Sequence, residues 1–176
     1  MHVLYVHQNY PAQFRYVARH LAKTGRRCSF VSRGEDGLTA EGVERIGYRP
    51  AGAAGKKSHY CARGFENRIW HCDAVYQALK ARPDIKPDLI VGHSGFGTTL
   101  LLPELYPGVP ILNYFEYYFR PRDPNTDWGY RKDLKDLGWS LSETAYLRNR
   151  ARNAMILLDL QGCDAAYAPT VFQRSV

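Results

Sequence analysis

The chain has 176 residues, with 24 Lys and Arg against 17 Asp and Glu, a formal net charge of +7. That length supports one domain with a real hydrophobic core, and no apolar run approaches the ~18 residues of a membrane-spanning helix. The positive excess favours an anionic partner, but it is dispersed rather than gathered in one block, so no nucleic acid is expected.

The first residues run straight into Val3-Leu4-Tyr5-Val6, with no basic leader, so no signal peptide is expected. An unbroken apolar run of this kind predicts a strand buried on both faces, as in a parallel sheet. The chain turns at Asn9 to Pro11 and enters a helix, in which Phe14, Val17, Ala18, Leu21 and Ala22 form one apolar stripe and Gly25 supplies the stop. In such a strand–turn–helix unit the turn lies at the carboxyl edge of the sheet, where open α/β folds bind ligands. His7, Gln8 and Asn9 fall at that edge; they either cap the helix or line a site.

A second strand follows at residues 28–32. Seven glycines then fall between Gly34 and Gly64, a loop-rich stretch that holds a third strand at residues 43–48. A long helix is predicted over residues 60–82, its buried face marked by Ile69, Cys72, Val75, Tyr76 and Leu79, ended by Pro83 and Pro87. Residues 88–92 read as a fourth strand, His93-Ser94-Gly95-Phe96-Gly97 as a second glycine-rich turn, residues 98–105 as an apolar helix and residues 109–115 as a fifth strand ending in Glu116-Tyr117-Tyr118. Residues 120–139 read as a long polar loop, of the kind that is usually functional. Ser142 is placed as the cap of a further helix that Gly162 stops, and residues 165–168 as a sixth strand. Residues 170–176 read as the start of another helix without a stop signal, so the chain is expected to be part of a longer protein. The alternation of strand and helix predicts an α/β fold: a Rossmann-like, doubly wound, mostly parallel sheet of about six strands, with helices on both faces.

Several chemistries are weighed against these motifs. Gly92-His93-Ser94-Gly95-Phe96 fails as a hydrolase nucleophile elbow: its second glycine comes one residue early and all six histidines precede Ser94. Neither a P-loop nor a G-x-G-x-x-G turn is present, although amides offered by residues 94–97 would suit an anion. The four cysteines lack a C-x-x-C pair and read as reduced thiols of a cytoplasmic protein. His59, Cys61, His71 and Cys72 match no common zinc spacing, so no metal is expected. His93, just beyond a buried strand, is either structural or functional. Glu116 either binds sugar hydroxyls among its aromatic neighbours or pairs with Arg120 or Arg122.

Residues 7–14 (HQNYPAQF), 92–97 (GHSGFG) and 114–118 (YFEYY), in this order, resemble the N-terminal domain of a bacterial subgroup of family 4 glycosyltransferases. The resemblance spans essentially the whole chain. It implies one half of a two-domain GT-B enzyme: the domain that mainly binds the acceptor, with the nucleotide sugar held by a second domain and transfer occurring between them with retention and no metal or other cofactor. It implies that the turn His7, Gln8, Asn9 to Gln13 faces the donor phosphates and acceptor, although Ala12 stands where glycine is frequent. It further implies that His93 lies near the transferred sugar and is the catalytic candidate, that Ser94 and Gly95 share its turn, and that Glu116, with Tyr117, lies on the acceptor side. The donor-site pair of glutamates eight apart is not found, so the isolated piece is expected not to transfer sugar. The implied partners are a nucleotide-sugar donor and a sugar or lipid-linked glycan acceptor in polysaccharide biosynthesis, with a hexosyl group transferred and peripheral contact at the inner face of the membrane. The rival expectation is a non-catalytic Rossmann-like module for an anionic partner.

Overall fold

The computed structural model describes residues 1–39, 41–96, 98–120 and 142–171. A seven-stranded sheet forms the centre. Its strands, in chain order, are β1 (His2–Val6), β2 (Arg27–Arg33), β3 (Gly37–Leu38), β4 (Glu44–Tyr48), β5 (Leu89–His93), β6 (Ile111–Tyr114) and β7 (Ala165–Tyr167). Its spatial order is β3-β4-β2-β1-β5-β6-β7. Every pairing is parallel except the short β3–β4 edge. The six strands expected from sequence are all present. The seventh, β3, is two exposed residues and carries no hydrophobic pattern.

The bare apolar run of β1 is explained by its central place, with all five of its residues buried. Because side chains alternate across a strand, Leu4 and Val6 enter one core with Val31, Ile46, Val75, Leu79 and Ile90. Val3 and Tyr5 enter the other, with Phe14, Ala18, Cys28 and Phe30. Helix α2 (Arg63–Lys80) covers the first face through Cys72, Val75 and Leu79, while α1 (Arg15–Lys23) covers the second.

Two helices differ from the expected pattern. The first begins as a 3-10 turn over Ala12–Phe14, and Val17, expected inward, is 56% exposed; Phe14 and Ala18 make the buried contact instead. The helix expected over residues 98–105 is reduced to one turn, α3 (Leu102–Leu105). Pro103 is the reason: proline lacks the amide needed to bond the residue four before it and disfavours helical backbone in the residue preceding it. Gly25 leaves α1 at φ +80° as expected, and the Ser142 hydroxyl caps α4 (Glu143–Gln161) by accepting from the Ala145 amide at 3.3 Å. The expected loop beyond Arg120, Arg122 with it, and the expected terminal helix beyond Val171 lie outside the described residues.

This topology decides where a site forms. From β1 the chain moves outward to β2 and β4, then returns to the opposite side of β1 for β5, β6 and β7. The strand order therefore reverses between β1 and β5, and the crevice beyond their carboxyl ends is where sheets of this class bind ligands.

Candidate functional site at the carboxyl edge

β1 and β5 are hydrogen-bonded neighbours in parallel register, Val6 opposite Gly92. Their next residues, His7 and His93, therefore leave the same rim side by side, with ring centroids 5.1 Å apart in an edge-on arrangement. Phe96 closes the group, 4.9 Å from each imidazole, and Tyr114 stands 5.1 Å from His93. Both histidines are almost wholly buried, at 4% and 5% exposure. Gly92, just before His93, lets Thr99 and Asn113 pack against the strand: a Cβ there would lie 2.3 Å from Thr99 Cγ2 and 2.4 Å from Asn113 Oδ1.

The two rings have different duties. His7 Nδ1 accepts from the Asn9 amide at 2.9 Å, so His7 braces the turn after β1 as a neutral ring. Burial, reinforced by the nearby His93, pushes its pKa down to about 4, because an ion is poorly solvated there. His93 Nδ1 donates to the Ser94 carbonyl at 2.9 Å, which aims Nε2 outward. There it meets Glu116 Oε2 at 3.1 Å and Gln13 Nε2 at 3.4 Å, and the Gln13 amide also donates to Glu116 Oε2 at 3.1 Å. With a neutral His93 ring, the two amide hydrogens of Gln13 serve His93 Nε2 and Glu116 together. With a proton on Nε2, the imidazole bonds Glu116 directly. Gln13 and Glu116 thus gather around His93 Nε2 as one cluster. Its outer edge is polar and open, since the Glu116 side chain is 48% exposed.

Of the residues expected at the site, His7, Gln13, His93 and Glu116 are brought together. Glu116 is engaged by His93 and Gln13, which neither sequence alternative for it anticipated. Gln8 and Asn9 belong to the same turn but line a neighbouring hollow with Arg33, Arg45 and Arg49. Tyr117 lies elsewhere, on an apolar hollow with Leu157, Leu160 and Tyr167.

The turn after β5 corrects one expectation. Its amides at Ser94 and Gly95 are not offered to an anion: Ser94 N–H donates to the Tyr114 carbonyl at 2.9 Å and Gly95 N–H to Asp159 Oδ2 at 2.7 Å. Gly95 takes φ +83° there, and its carbonyl accepts from Arg68 Nε. Asp159, from α4, and Arg68, from α2, therefore clamp this turn from behind; sequence reasoning gave neither a role. Burial raises the Asp159 carboxyl to about 6, against the opposing pull of the Gly95 amide and the Arg68 charge. The available signal was a single acid within Met155-Ile156-Leu157-Leu158-Asp159-Leu160. The first turn also carries Ala12 at φ +47°, a left-handed backbone that favours glycine.

Among the described residues no group of three or more metal-ligating side chains is found. His71 has its Nδ1 2.9 Å from the Tyr48 hydroxyl. No helix among the described residues is long and apolar enough to cross a membrane.

Comparison with known proteins bears on the fold. Among solved structures, sucrose-phosphate synthase from Thermosynechococcus elongatus is similar at TM-score 0.60 and 11% identity, over 99% of this chain and 80% of that one. UGT2 of Phytolacca americana, solved with UDP-2fluoro-glucose and pterostilbene, is similar at TM-score 0.52 and 10% identity, over 96% of this chain but 46% of that one. At such identities the likeness is one of fold. No curated protein matches in sequence. A family model described as "Glycosyl transferase family 4 group" matches residues 24–176. With most of the chain matched and a parallel α/β sheet of the GT-B kind, this chain belongs to the family 4 glycosyltransferases, as an N-terminal-type domain of that fold.

Proposed function

We propose that this chain is the acceptor-binding half of a retaining glycosyltransferase, which moves a hexosyl group from a nucleotide sugar to a glycan or lipid-linked acceptor. The nucleotide sugar is held mainly by a second domain outside this chain, and no metal or other cofactor is required. The observation that carries the reading is the linked group His93–Glu116–Gln13 at the strand-order reversal, where three polar side chains from three separate segments meet beside the rings of Phe96 and Tyr114.

In this reading the remaining side-chain oxygens of Glu116 and Gln13 accept from sugar hydroxyls, and His7 and Asn9 keep the first turn in place. His93 Nε2 stands where a proton can be held beside the reacting hydroxyl. Positive charge develops on the donor sugar as the diphosphate leaves. Fixed dipoles and charges act on that charge without reorganising, and a closed cleft excludes water. The protein works in the cytoplasm, at the inner face of the membrane when the acceptor is lipid-linked.

The test uses the intact enzyme and a panel of UDP-, GDP- and ADP-sugars, reading release of the nucleoside diphosphate. His93→Ala is expected to lower turnover about 100-fold or more, the range of a lost acid–base or charge-stabilising group, with the thermal midpoint held near wild type. Wild-type turnover in that variant would remove His93 from the reaction.

A further inference from the structure

Beside the histidine cluster, at the carboxyl ends of β2 and β4, lies an open hollow of about 650 Å³. Its floor is the outer side of the same first turn, Gln8, Asn9 and Tyr10, and its wall holds Arg33, Arg45 and Arg49. We propose that this hollow binds a phosphoryl group carried by the acceptor, so that the substrate is a phosphorylated sugar or lipid rather than a neutral glycan. The proposal rests on the acceptor-binding reading above and names the chemistry of its ligand.

The three guanidinium groups are brought together by the fold alone. Arg33 ends β2 opposite Tyr48, the end of β4, and Arg45 lies opposite Phe30 three residues earlier. Arg33 and Arg45 have no carboxylate within ion-pair distance among the described residues. Arg49 has only Glu35 at 3.7 Å, with both side chains more than three-quarters exposed, so that pair is weak. The sheet elsewhere neutralises its arginines closely: Arg27 and Arg82 are held by Glu44 and Asp84 at the amino edge. Arg45 is further set apart. Its guanidinium lies over the Tyr10 ring, 4.8 Å from the centroid, and its Nε is buried without a hydrogen-bond partner among the described residues.

A buried donor left unsatisfied is costly, and the Arg45 side chain that carries it borders the hollow. No acidic side chain lines the hollow. Three cationic forks around one space match the oxygens of a phosphate, which arginine binds with paired, directional hydrogen bonds. Stacking on Tyr10 fixes the plane of one fork. Since Tyr10 and Asn9 belong to the turn that His7 braces, a phosphoryl group held here places the rest of its carrier toward Gln13, Glu116 and His93.

The experiment measures binding by calorimetry to this 176-residue chain, without donor or turnover, so its result is independent of whether transfer is observed. The probes are inorganic phosphate, glucose 6-phosphate, glucose and phosphatidylcholine vesicles with or without phosphatidic acid. Saturable binding of phosphate and of at least one phosphorylated carrier is expected, with glucose silent, and the soluble and vesicle arms identify the carrier. Arg45→Gln and, separately, the exposed Arg33→Gln should each weaken binding about tenfold or more, the effect of one charge-assisted hydrogen bond. Glu35→Gln, which frees Arg49, should tighten it. Undiminished phosphate binding in a folded Arg33→Gln variant, or no saturable phosphate binding by wild type, overturns the proposal. In either case the His93-dependent reaction is left standing or falling on its own test.

Discussion

His7 and Asp159 are buried titratable groups that face opposite consequences of acid. The His7 ring, ordinarily near 6.5, is held at about 4 in the fold, so its contribution to stability is complete above pH 6.5 and is lost as pH falls toward 4. The Asp159 carboxyl, ordinarily near 3.8, is raised to about 6, so its contribution is complete below pH 3.8 and is lost as pH rises through 6. At about 1.4 kcal/mol per pKa unit, each amounts to about 3 kcal/mol. The two nearly cancel across the same window. Asp159→Asn keeps an oxygen for the Gly95 amide but removes the carboxyl titration. The variant should therefore lose stability between pH 6.5 and 4 more steeply than wild type, by about 3 kcal/mol. Urea midpoints measured across that range check this, and parallel profiles would show that the Asp159 carboxyl is not held in its raised state.

At the scale of elements, the site depends on how closely β5 and β6 are packed. Gly92 sits against Thr99 and Asn113, and Asn113 in turn donates to Thr99 Oγ1 and to the Asp159 carbonyl. A methyl group at Gly92 would force these neighbours apart, and overpacking of this kind costs about 1–3 kcal/mol. Gly92→Ala is expected to lower the urea midpoint accordingly and to displace His93, so stability and turnover should fall together. A variant with full stability would mean that β5 has room that the close packing denies.

These elements also show what the sequence carried. β1 and β5 were legible because burial on both faces leaves an uninterrupted apolar run. β3 was not, since two exposed residues need no pattern. The pairing of His7 with His93 was legible through strand order, because two turns after adjacent parallel strands must share a rim. The arginine hollow was not: Arg33, Arg45 and Arg49 lie on separate segments and meet only through the β2–β4 register. The Asp159 clamp needed the packing of α4 against the turn after β5, which no local spacing encodes.

Across the whole molecule, a reversal in strand order brings side chains distant in sequence to one rim of the sheet. Gln13 comes from the first turn, His93 from the end of β5 and Glu116 from beyond β6, yet they share hydrogen bonds of 3.1 to 3.4 Å. Three of the cationic side chains, Arg33, Arg45 and Arg49, gather at the β2–β4 end of the same edge. The most direct test is a double-mutant cycle on kcat/KM in the intact enzyme, with Gln13→Ala, His93→Ala and the pair. Residues serving one site through a shared hydrogen-bond network are expected to show a coupling of about 1 kcal/mol or more. Strictly additive losses would mean that the two turns act separately, and would contradict the single acceptor site proposed at the β1–β5 rim.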